Sequence, residues 1–384
     1  MRSHWPLDPS ITYLNHGTVG VTPRAVLEAQ QAIRDEMERQ PSRFMLREVG
    51  RLAGAAWPGP NRIRRAAGEV AAAIGARGDD LVFVDNATAG VNAVLRSMPF
   101  EPGDEILALD HSYGAVLNAA RYRAREAGGT VRTVEMPWPM FDEGVLIDRI
   151  AAAIGPRTRL LILDHITSST AIVLPVAAIA ARCRAAGVPV LVDGAHAPGA
   201  IPLDIASLDV AWYTANLHKW AHAPRSSGIL WAAPERQAGL HPPVISWGLD
   251  QGFHAEFDWV GTRDPSPWLA APAGFRFLAD LGFADVCAWN HRLACDAATL
   301  LCARWGTTRG VPDSNIGTMC TVPAPERFGG QPEDAARLRD TLLIDHHIEV
   351  HVFAAWNRVW VRVSAQIYNE RSDFEKLAAT VVLL

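Results

Sequence analysis

Lysine is almost absent from this sequence. Only two of its 36 basic residues are lysines, Lys219 and Lys376, and the rest are arginines. Because arginine neither forms an imine with an aldehyde nor loses its proton, a lysine in such a chain is a candidate for chemistry that arginine cannot perform. A surface lysine without a role is the alternative. The residues around Lys219 favour the first interpretation.

Other features are missing too, and each absence narrows the class of protein. There is no basic tract and the net charge is −5, so we expect no nucleic-acid partner. No apolar run reaches membrane-spanning length, and the opening MRSHWPLDPS lacks the hydrophobic region of a secretory signal. The five cysteines form no CxxC pair, which predicts reduced thiols in a cytoplasmic protein, and we expect no metal site.

What is present is an alternation of short apolar runs and amphipathic segments. The 384 residues are 49% hydrophobic, which predicts a globular chain with one large and one smaller domain. The runs predict strands at 81–84, 105–110, 130–136, 159–165 and 188–194. The segments predict helices from Thr22 to about 38, at 61–77 (closed by Gly78), from about Thr88, and at 113–127, 144–154 and 176–186. Such alternation is typical of an α/β domain with a mostly parallel sheet, which binds ligands at the carboxyl ends of its strands.

The pattern changes beyond Trp247. A loop at 257–268 precedes predicted helices at 268–281, 283–304, 332–343 and 372–379, an apolar run at 319–325, and an alternating stretch at 348–369 that indicates paired antiparallel strands. We therefore predict a large domain over 20–255 and a small α+β domain over 256–384, joined by the N-terminal segment 1–19.

Two neighbouring apolar runs end in residues suited to one cofactor. The run 188–192 ends in Asp193, and the run 210–213 leads to Asn216, His218 and Lys219. A pyridoxal phosphate (PLP) enzyme needs an amine that forms a Schiff base and an anion that keeps the pyridine nitrogen protonated. The turn before the helix near Thr88 is a candidate phosphate site, although the signal is weak by itself.

Eight stretches, in this order, carry a resemblance to a known family. They are YLNHGTVG, NATAGVNAV, DHSYGAV, DHITSSTAIVLPV, VDGAHAPG, NLHKWAHAP, GTRDPSP and VRVSAQIYN. Together they resemble the class V aminotransferases of the fold-type I PLP enzymes, most closely the isopenicillin N epimerase-like branch. The resemblance implies a seven-stranded, mostly parallel sheet in the large domain and PLP as cofactor.

The resemblance also implies roles for individual residues around the cofactor ring. Lys219 would form the imine and then carry protons at the substrate α-carbon, and Asp193 would pair with the pyridine N–H. His196 and Ser168 would lie near the phenolate oxygen. Tyr113 would stack on the ring, as an aromatic face can, the alternative being a tyrosine on the core face of a helix.

Further residues are implied for the phosphate and the substrate. The phosphate would contact Thr88, the N–H groups near Ala89, Asn216, His218 and Tyr213. A Gly261–Thr262 pair from the partner subunit would complete that site, which implies a homodimer with shared active sites. Arg362 would bind the α-carboxylate bidentately, and Asn15 and His16 would line the substrate side.

The reaction itself stays open among three types. The stretch before Arg362 contains no cysteine, and Cys320 lies 42 residues earlier, which argues against the persulfide chemistry of cysteine desulfurases. β-Elimination, including C–S cleavage, needs one base, whereas epimerisation needs a second acid, for which His16, His351 and Tyr368 are candidates. Transamination and a catalytically silent binding protein are further alternatives.

The substrate side chain cannot be named from the sequence. Loops predicted at 41–60 and 241–257 are rich in Trp, Pro and Arg and are expected to shape the substrate pocket. Arg43, Arg47 and His254 are candidates to meet a distal charged group.

Overall fold

The computed structural model describes residues 1–51 and 57–384. The strands are β1 (Thr12–Tyr13), β2 (Leu81–Val84), β3 (Glu105–Leu109), β4 (Thr130–Val134), β5 (Thr158–Asp164), β6 (Val190–Asp193), β7 (Trp212–Asn216), β8 (Gly228–Ala232), β9 (Met319–Pro323), β10 (Ile348–Glu349), β11 (His351–Ala355) and β12 (Arg358–Ser364). The helices are α1 (His16–Val19), α2 (Arg24–Arg39), α3 (Pro41–Arg43), α4 (Arg62–Ala73), α5 (Ala87–Ser97), α6 (Gly114–Glu126), α7 (Glu143–Ala153), α8 (Val176–Ala185), α9 (Phe253–Asp258), α10 (Ser266–Asp280), α11 (Phe283–Trp305), α12 (Pro332–Ile344) and α13 (Arg371–Leu383).

A seven-stranded sheet forms the centre of the molecule, in the order β2-β8-β7-β6-β5-β3-β4. Its strands are parallel except β8, which runs antiparallel to both of its neighbours. The residues of β2, β6, β7 and β8 are all buried, as expected for a sheet covered on both faces. The predicted α/β fold with a mostly parallel seven-stranded sheet is confirmed, although the apolar run of β8 was missed.

One predicted helix end is wrong. The helix predicted at 61–77 begins as expected, because the Asn61 side chain accepts hydrogen bonds from the N–H groups of Ile63 and Arg64. It ends at Ala73 rather than before Gly78. Gly75 adopts a φ of +64°, and the Ala76 N–H turns back to the Ala71 carbonyl, so the helix closes one turn earlier than the composition indicates.

A second, antiparallel sheet has the order β11-β12-β9. The N-terminal segment reaches this part of the chain, because β1 pairs in parallel with β10, with Thr12 opposite Ile348. Helix α10 packs against α2 and α4, so residues on both sides of the proposed domain boundary are in contact. The division at 255/256 remains a prediction.

The two substrate-pocket loops contain helices. Within 41–60, α3 is followed by a π-helical turn at Phe44–Val49, and Phe44, Met45 and Val49 are buried in the core. Residues 52–56 of that predicted loop lie outside the described residues. Within 241–257, helix α9 begins at Phe253. Several apolar side chains in the described parts of 41–60 and 241–257 are buried. The polar and Pro-rich composition of these stretches did not indicate this burial.

Two further expectations can be compared with the fold. Among residues 1–51 and 57–384, no helix is long and apolar enough to cross a membrane. The cysteines are free, as predicted, and lie on α8, α11 and β9, with Cys320 fully packed in β9.

Candidate active site

A cavity of about 420 Å³ lies at the carboxyl edge of the central sheet, where β5, β6 and β7 end. Its walls come from both sheets and from the N-terminal segment. The sequence-predicted residues that line it are Thr88, Tyr113, Ser168, Asp193, His196, Asn216, His218, Lys219, His351 and Arg362. Residues from positions 88 to 362 therefore meet at one cavity, as the strand-end rule for open α/β sheets predicts.

Lys219 follows β7 and is buried in the cavity wall. Its Nζ lies 3.2 Å from Nε2 of His196. Burial, together with the nearby charge of Arg362, lowers the pKa of Lys219 to about 7, and Asp193 opposes this shift. A large fraction of the amine is therefore neutral at physiological pH, which makes it nucleophilic toward a carbonyl group.

Asp193 ends β6 and is 3% exposed. One carboxylate oxygen accepts a hydrogen bond of 3.0 Å from the Ala195 N–H, which stabilises the charged form. Burial raises the pKa of Asp193, while the Ala195 N–H and the nearby Lys219 lower it. The Ala195 N–H and Lys219 thus oppose the effect of burial and favour the charged form of the acid.

His196 follows Asp193 in the chain and contacts Lys219. Burial holds the pKa of His196 well below its ordinary value, so the ring is neutral. Its Nδ1 accepts a hydrogen bond from the Trp220 indole at 3.4 Å, which places the ring proton on Nε2. That N–H faces Lys219 and can donate to an oxygen atom bound in the cavity.

The start of α5 forms another part of the wall. Asn86 caps the helix by accepting from the Ala89 N–H at 3.0 Å, and Asn216 accepts from the Ala87 N–H at 2.9 Å. The Ala89 N–H is thus bound by the cap in this structure, and the predicted phosphate contact of the N–H groups near Ala89 stays a prediction. Thr88 keeps its place on the cavity, and Gly90 lets the helix approach β7, since a side chain there would collide with Thr214.

Arg362 on β12 is 2% exposed and is held by three oxygen atoms. It donates to the Ser168 carbonyl at 2.6 Å, to the Thr18 hydroxyl at 2.8 Å and to the Asn15 amide oxygen at 3.4 Å. Its Nε is buried with no partner among the described residues. Burial lowers the pKa of Arg362 only to about 10, so a charged guanidinium lines the cavity.

Four predicted residues are not on the cavity wall. The Tyr213 hydroxyl bonds Nδ1 of His165 at 2.8 Å beneath the wall. Asn15 donates to Glu349 at 2.7 Å and contacts Arg362 instead of the cavity. Ala89 is bound by the helix cap, and Thr262 is exposed and does not line the cavity.

Two of the three candidates for the second acid, His16 and Tyr368, also do not line the cavity. His16 is fully buried and uses both ring nitrogens, bonding the Tyr368 hydroxyl at 2.9 Å and the Lys219 carbonyl at 3.0 Å. Burial raises the pKa of Tyr368 well above its ordinary value. Only His351 lines the cavity, and burial lowers its pKa to about 3.

The three candidates for a distal charge also lie off the cavity. Arg43 pairs with Glu48 at 2.7 Å, and His254 bonds the Asp79 carbonyl at 2.8 Å. Arg47 is exposed beyond the cavity. Arg43 and His254 therefore make local contacts in this chain and do not reach the cavity.

Several cavity residues were missed. They are Gly17, Thr18, Asp164, Ile166 and Ala195, whereas Asn86 and Ala87 belong to the turn predicted as a phosphate site. Asp164 carried a usable signal, because it ends a predicted strand just as Asp193 does. Thr18 carried none, since its approach to Arg362 depends on contacts between residues 344 positions apart.

The set of groups in the cavity fits PLP. The neutral amine would react with the aldehyde of PLP, the buried acid on the adjacent strand would pair with its pyridine nitrogen, and the helix N-terminus would bind its phosphate. The cavity is large enough for such a small cofactor. The fold and this cavity thus define the class of PLP-dependent enzymes.

Comparisons with known proteins identify the family. The chain matches the family described as aminotransferase class-V over residues 12–377. It is 33% identical to isopenicillin N epimerase of Streptomyces clavuligerus, over 98% of this chain and 96% of that protein. It is 31% identical to the putative L-cysteine desulfhydrase 1 of Oryza sativa subsp. japonica, over 97% of this chain and 83% of that protein.

A solved structure agrees in fold. C-DES, a cystine C–S lyase also solved with glycine covalently linked to its PLP cofactor, matches with a TM-score of 0.80 at 21% identity, over 99% of this chain and 98% of that chain. The chain belongs to the class V aminotransferase family. The predicted family, the PLP cofactor and the assignment as a PLP-dependent enzyme are confirmed.

Proposed function

We propose that this protein cleaves the C–S bond of L-cysteine or a cysteine conjugate by β-elimination. The observation that carries the proposal is a cavity with one proton-accepting amine, Lys219, and a carboxylate-binding guanidinium, Arg362, supplied by the opposite sheet. Elimination needs one base and a leaving group, which matches this arrangement. Relatives named as L-cysteine desulfhydrases support the substrate class.

Each residue has a defined task in this proposal. Bound in the cavity, PLP supplies an electron sink for negative charge at the substrate α-carbon. Asp193 holds the proton on the pyridine nitrogen, and Thr88 with the start of α5 holds the phosphate. Arg362 orients the substrate through its α-carboxylate, so that Lys219 takes the α-proton, and Tyr113 covers the ring.

Epimerisation is the second candidate, because relatives named as isopenicillin N epimerases match equally well. It needs an acid on the face opposite Lys219. His351 is the remaining candidate on the cavity, and its register opposite Arg362 brings it near the substrate carboxylate. With a pKa of about 3 the imidazole is neutral, which makes it a weak proton donor and favours elimination.

Product analysis tests this choice. The holoenzyme is incubated with single amino acids and cysteine S-conjugates in deuterated water. Elimination from L-cysteine yields sulfide, pyruvate and ammonia in equal amounts, whereas epimerisation yields the inverted amino acid with deuterium at the α-carbon and no pyruvate. Conversion of the cofactor to its pyridoxamine form indicates transamination.

The two lysines provide matched controls. Lys219→Ala is expected to abolish product formation, and Lys376→Ala, a substitution at an exposed residue on α13, is expected to leave it unchanged. If wild-type protein takes up no PLP and Lys219→Ala alters nothing, the chain is a catalytically silent relative and the proposal fails.

We also propose that the active form is a homodimer whose Gly261–Thr262 pair reaches the partner's phosphate site. Two features support this. Tyr113 is 48% exposed although it lines the cavity, so one side of the site is open in the single chain. In addition, the segment 244–249 exposes Val244, Ile245, Trp247 and Leu249, which is an apolar cluster that a second subunit can cover.

A further inference from the structure

The cavity contains a second buried carboxyl group that the proposed chemistry does not use. Asp164 ends β5, directly opposite Asp193 in the parallel register of β5 and β6. Side chains opposite each other on neighbouring strands project from the same face of a sheet. Both acids are 3% exposed and both line the cavity.

Asp164 is not fully satisfied by the protein. Its Oδ2 is buried without a hydrogen-bond partner among the described residues. The Ser112 hydroxyl and the Tyr113 N–H favour its charged form, but they are outweighed by burial and by the charge of Asp193. An unpaired buried carboxylate oxygen is costly, and a proton on it removes most of that cost.

The charges around the pair support one proton between the two acids. The titratable groups that face them are His165 after β5, His196 after β6, Tyr213 on β7 and Lys219 after β7. Burial lowers the pKa of His165 to about 4 and that of His196 well below its ordinary value, and it raises the pKa of Tyr213 well above its ordinary value, so these three are neutral. Lys219 is the single cation acting on Asp193, and in the holoenzyme this amine is engaged with the cofactor.

Two neighbouring buried carboxyl groups with a single nearby cation do not both ionise at neutral pH. Burial and Asp193 raise the pKa of Asp164 to about 8, whereas the Ala195 N–H and Lys219 favour the charged form of Asp193. At neutral pH the single proton of the pair is therefore bound to Asp164.

We propose that Asp164 is a positioning residue: its protonated carboxyl group leaves Asp193 as the single anion facing the pyridine nitrogen, and its deprotonation in mild base places a second negative charge in the cavity. The inference rests on PLP binding in this cavity. The second charge stabilises protons on the bound cofactor, so the absorption spectrum of that cofactor changes when Asp164 ionises.

The test compares the visible spectra of PLP-loaded wild type, Asp164→Asn and Asp110→Asn between about pH 6 and pH 10. Asparagine mimics the protonated acid, so Asp164→Asn is expected to keep the neutral-pH spectrum and to lose the transition near pH 8. Asp110 is an exposed acid with a raised pKa that follows β3 and does not line the cavity, so Asp110→Asn is expected to titrate like wild type.

Two results would overturn the proposal. One is an unchanged transition in Asp164→Asn, and the other is a neutral-pH spectrum altered by that substitution, since this would mean that residue 164 acts as an anion.

Infrared spectra of the apoprotein give a readout that needs neither cofactor nor activity. We expect the C=O band of a protonated buried carboxyl group at about pH 7, lost by about pH 9. Absence of any such loss in wild type contradicts the proposal even if Asp164→Asn fails to fold. If the protein binds no PLP but the infrared band titrates, the cofactor assignment has failed and the protonation of Asp164 stands.

Discussion

Lys219 and Arg362 are two basic residues in one cavity, and burial affects them differently. It lowers the pKa of Lys219 to about 7 but that of Arg362 only to about 10. At neutral pH the guanidinium therefore stays charged, as the proposed carboxylate binding requires, while a large fraction of the amine is neutral, as a nucleophile and base must be.

The lowered pKa of Lys219 predicts how the apoprotein takes up PLP. The neutral amine is the reactive form, so the incorporation rate is expected to rise about tenfold per pH unit below about pH 7 and to level off above it. Stopped-flow absorbance after mixing apoprotein with PLP measures this rate. A midpoint near the ordinary lysine value of 10.5 would show that the amine is not desolvated.

Arg362→Lys tests the free Nε donor. A lysine keeps the charge but cannot hold Ser168 and Thr18 while binding a carboxylate bidentately, so KM for an amino-acid substrate is expected to rise roughly 10- to 100-fold, as for loss of one charged hydrogen bond. Steady-state kinetics measure the effect. Arg358→Lys, on the same strand but off the cavity, is the control and should leave KM unchanged.

At the scale of elements, the junction between β7 and α5 prepares one wall of the site. Asn216 at the end of β7 binds the first N–H of α5, and Asn86 caps the same helix. The helix N-terminus is thereby aligned before any ligand arrives, which lowers the entropic cost of binding a phosphate there.

Asn86→Ala separates this role from ordinary helix capping. Loss of the cap is expected to reduce the free energy of unfolding by about 1 kcal/mol and also to weaken PLP binding. Asp142→Ala removes a matching cap from α7, where Asp142 accepts from the Val145 N–H, away from the cavity. Chemical denaturation and PLP titration compare the two, and equal PLP affinities would contradict a ligand role for the start of α5.

At the scale of the whole molecule, the N-terminal segment and the C-terminal sheet complete a site that the central sheet begins. β1 pairs with β10, and Thr18 and Asn15 then reach Arg362 on β12. In the proposed function, substrate recognition would therefore depend on contacts between the two ends of the chain, whereas the residues proposed to hold the cofactor come mostly from the middle.

Subunit complementation tests the shared active site. Lys219→Ala and Thr262→Val are each expected to be impaired alone. In a re-equilibrated mixture of the two, about one quarter of the sites would combine an intact Lys219 with the partner's intact Thr262, and activity should return to that extent. Each variant measured alone gives the background, and a mixture of Lys219→Ala with Thr299→Val, at an exposed site on α11, keeps half of the sites intact and gives the upper reference. No recovery above either parent would contradict the homodimer with shared sites.

The alternation of apolar runs was sufficient to predict the central sheet and to bring Asp193 near Lys219, because parallel strands end at one edge whatever packs around them. The same rule would have found Asp164. The strand-end rule could not identify Thr18 as a cavity residue or show that Phe44–Val49 is packed in the core. Both facts depend on contacts between residues that are far apart in the sequence.

By itself, the sequence determined the fold class through its strand periodicity, and its eight motif stretches carried the resemblance that implied the family and the cofactor. Only the tertiary structure decided which titratable groups face the cavity. His16 and Tyr368, 352 positions apart, bond each other and leave the cavity to His351, and desolvation brings the pKa of Lys219 to about 7. Burial and hydrogen-bond partners are properties of the packed chain, and they convert a set of reactive residue types into a site.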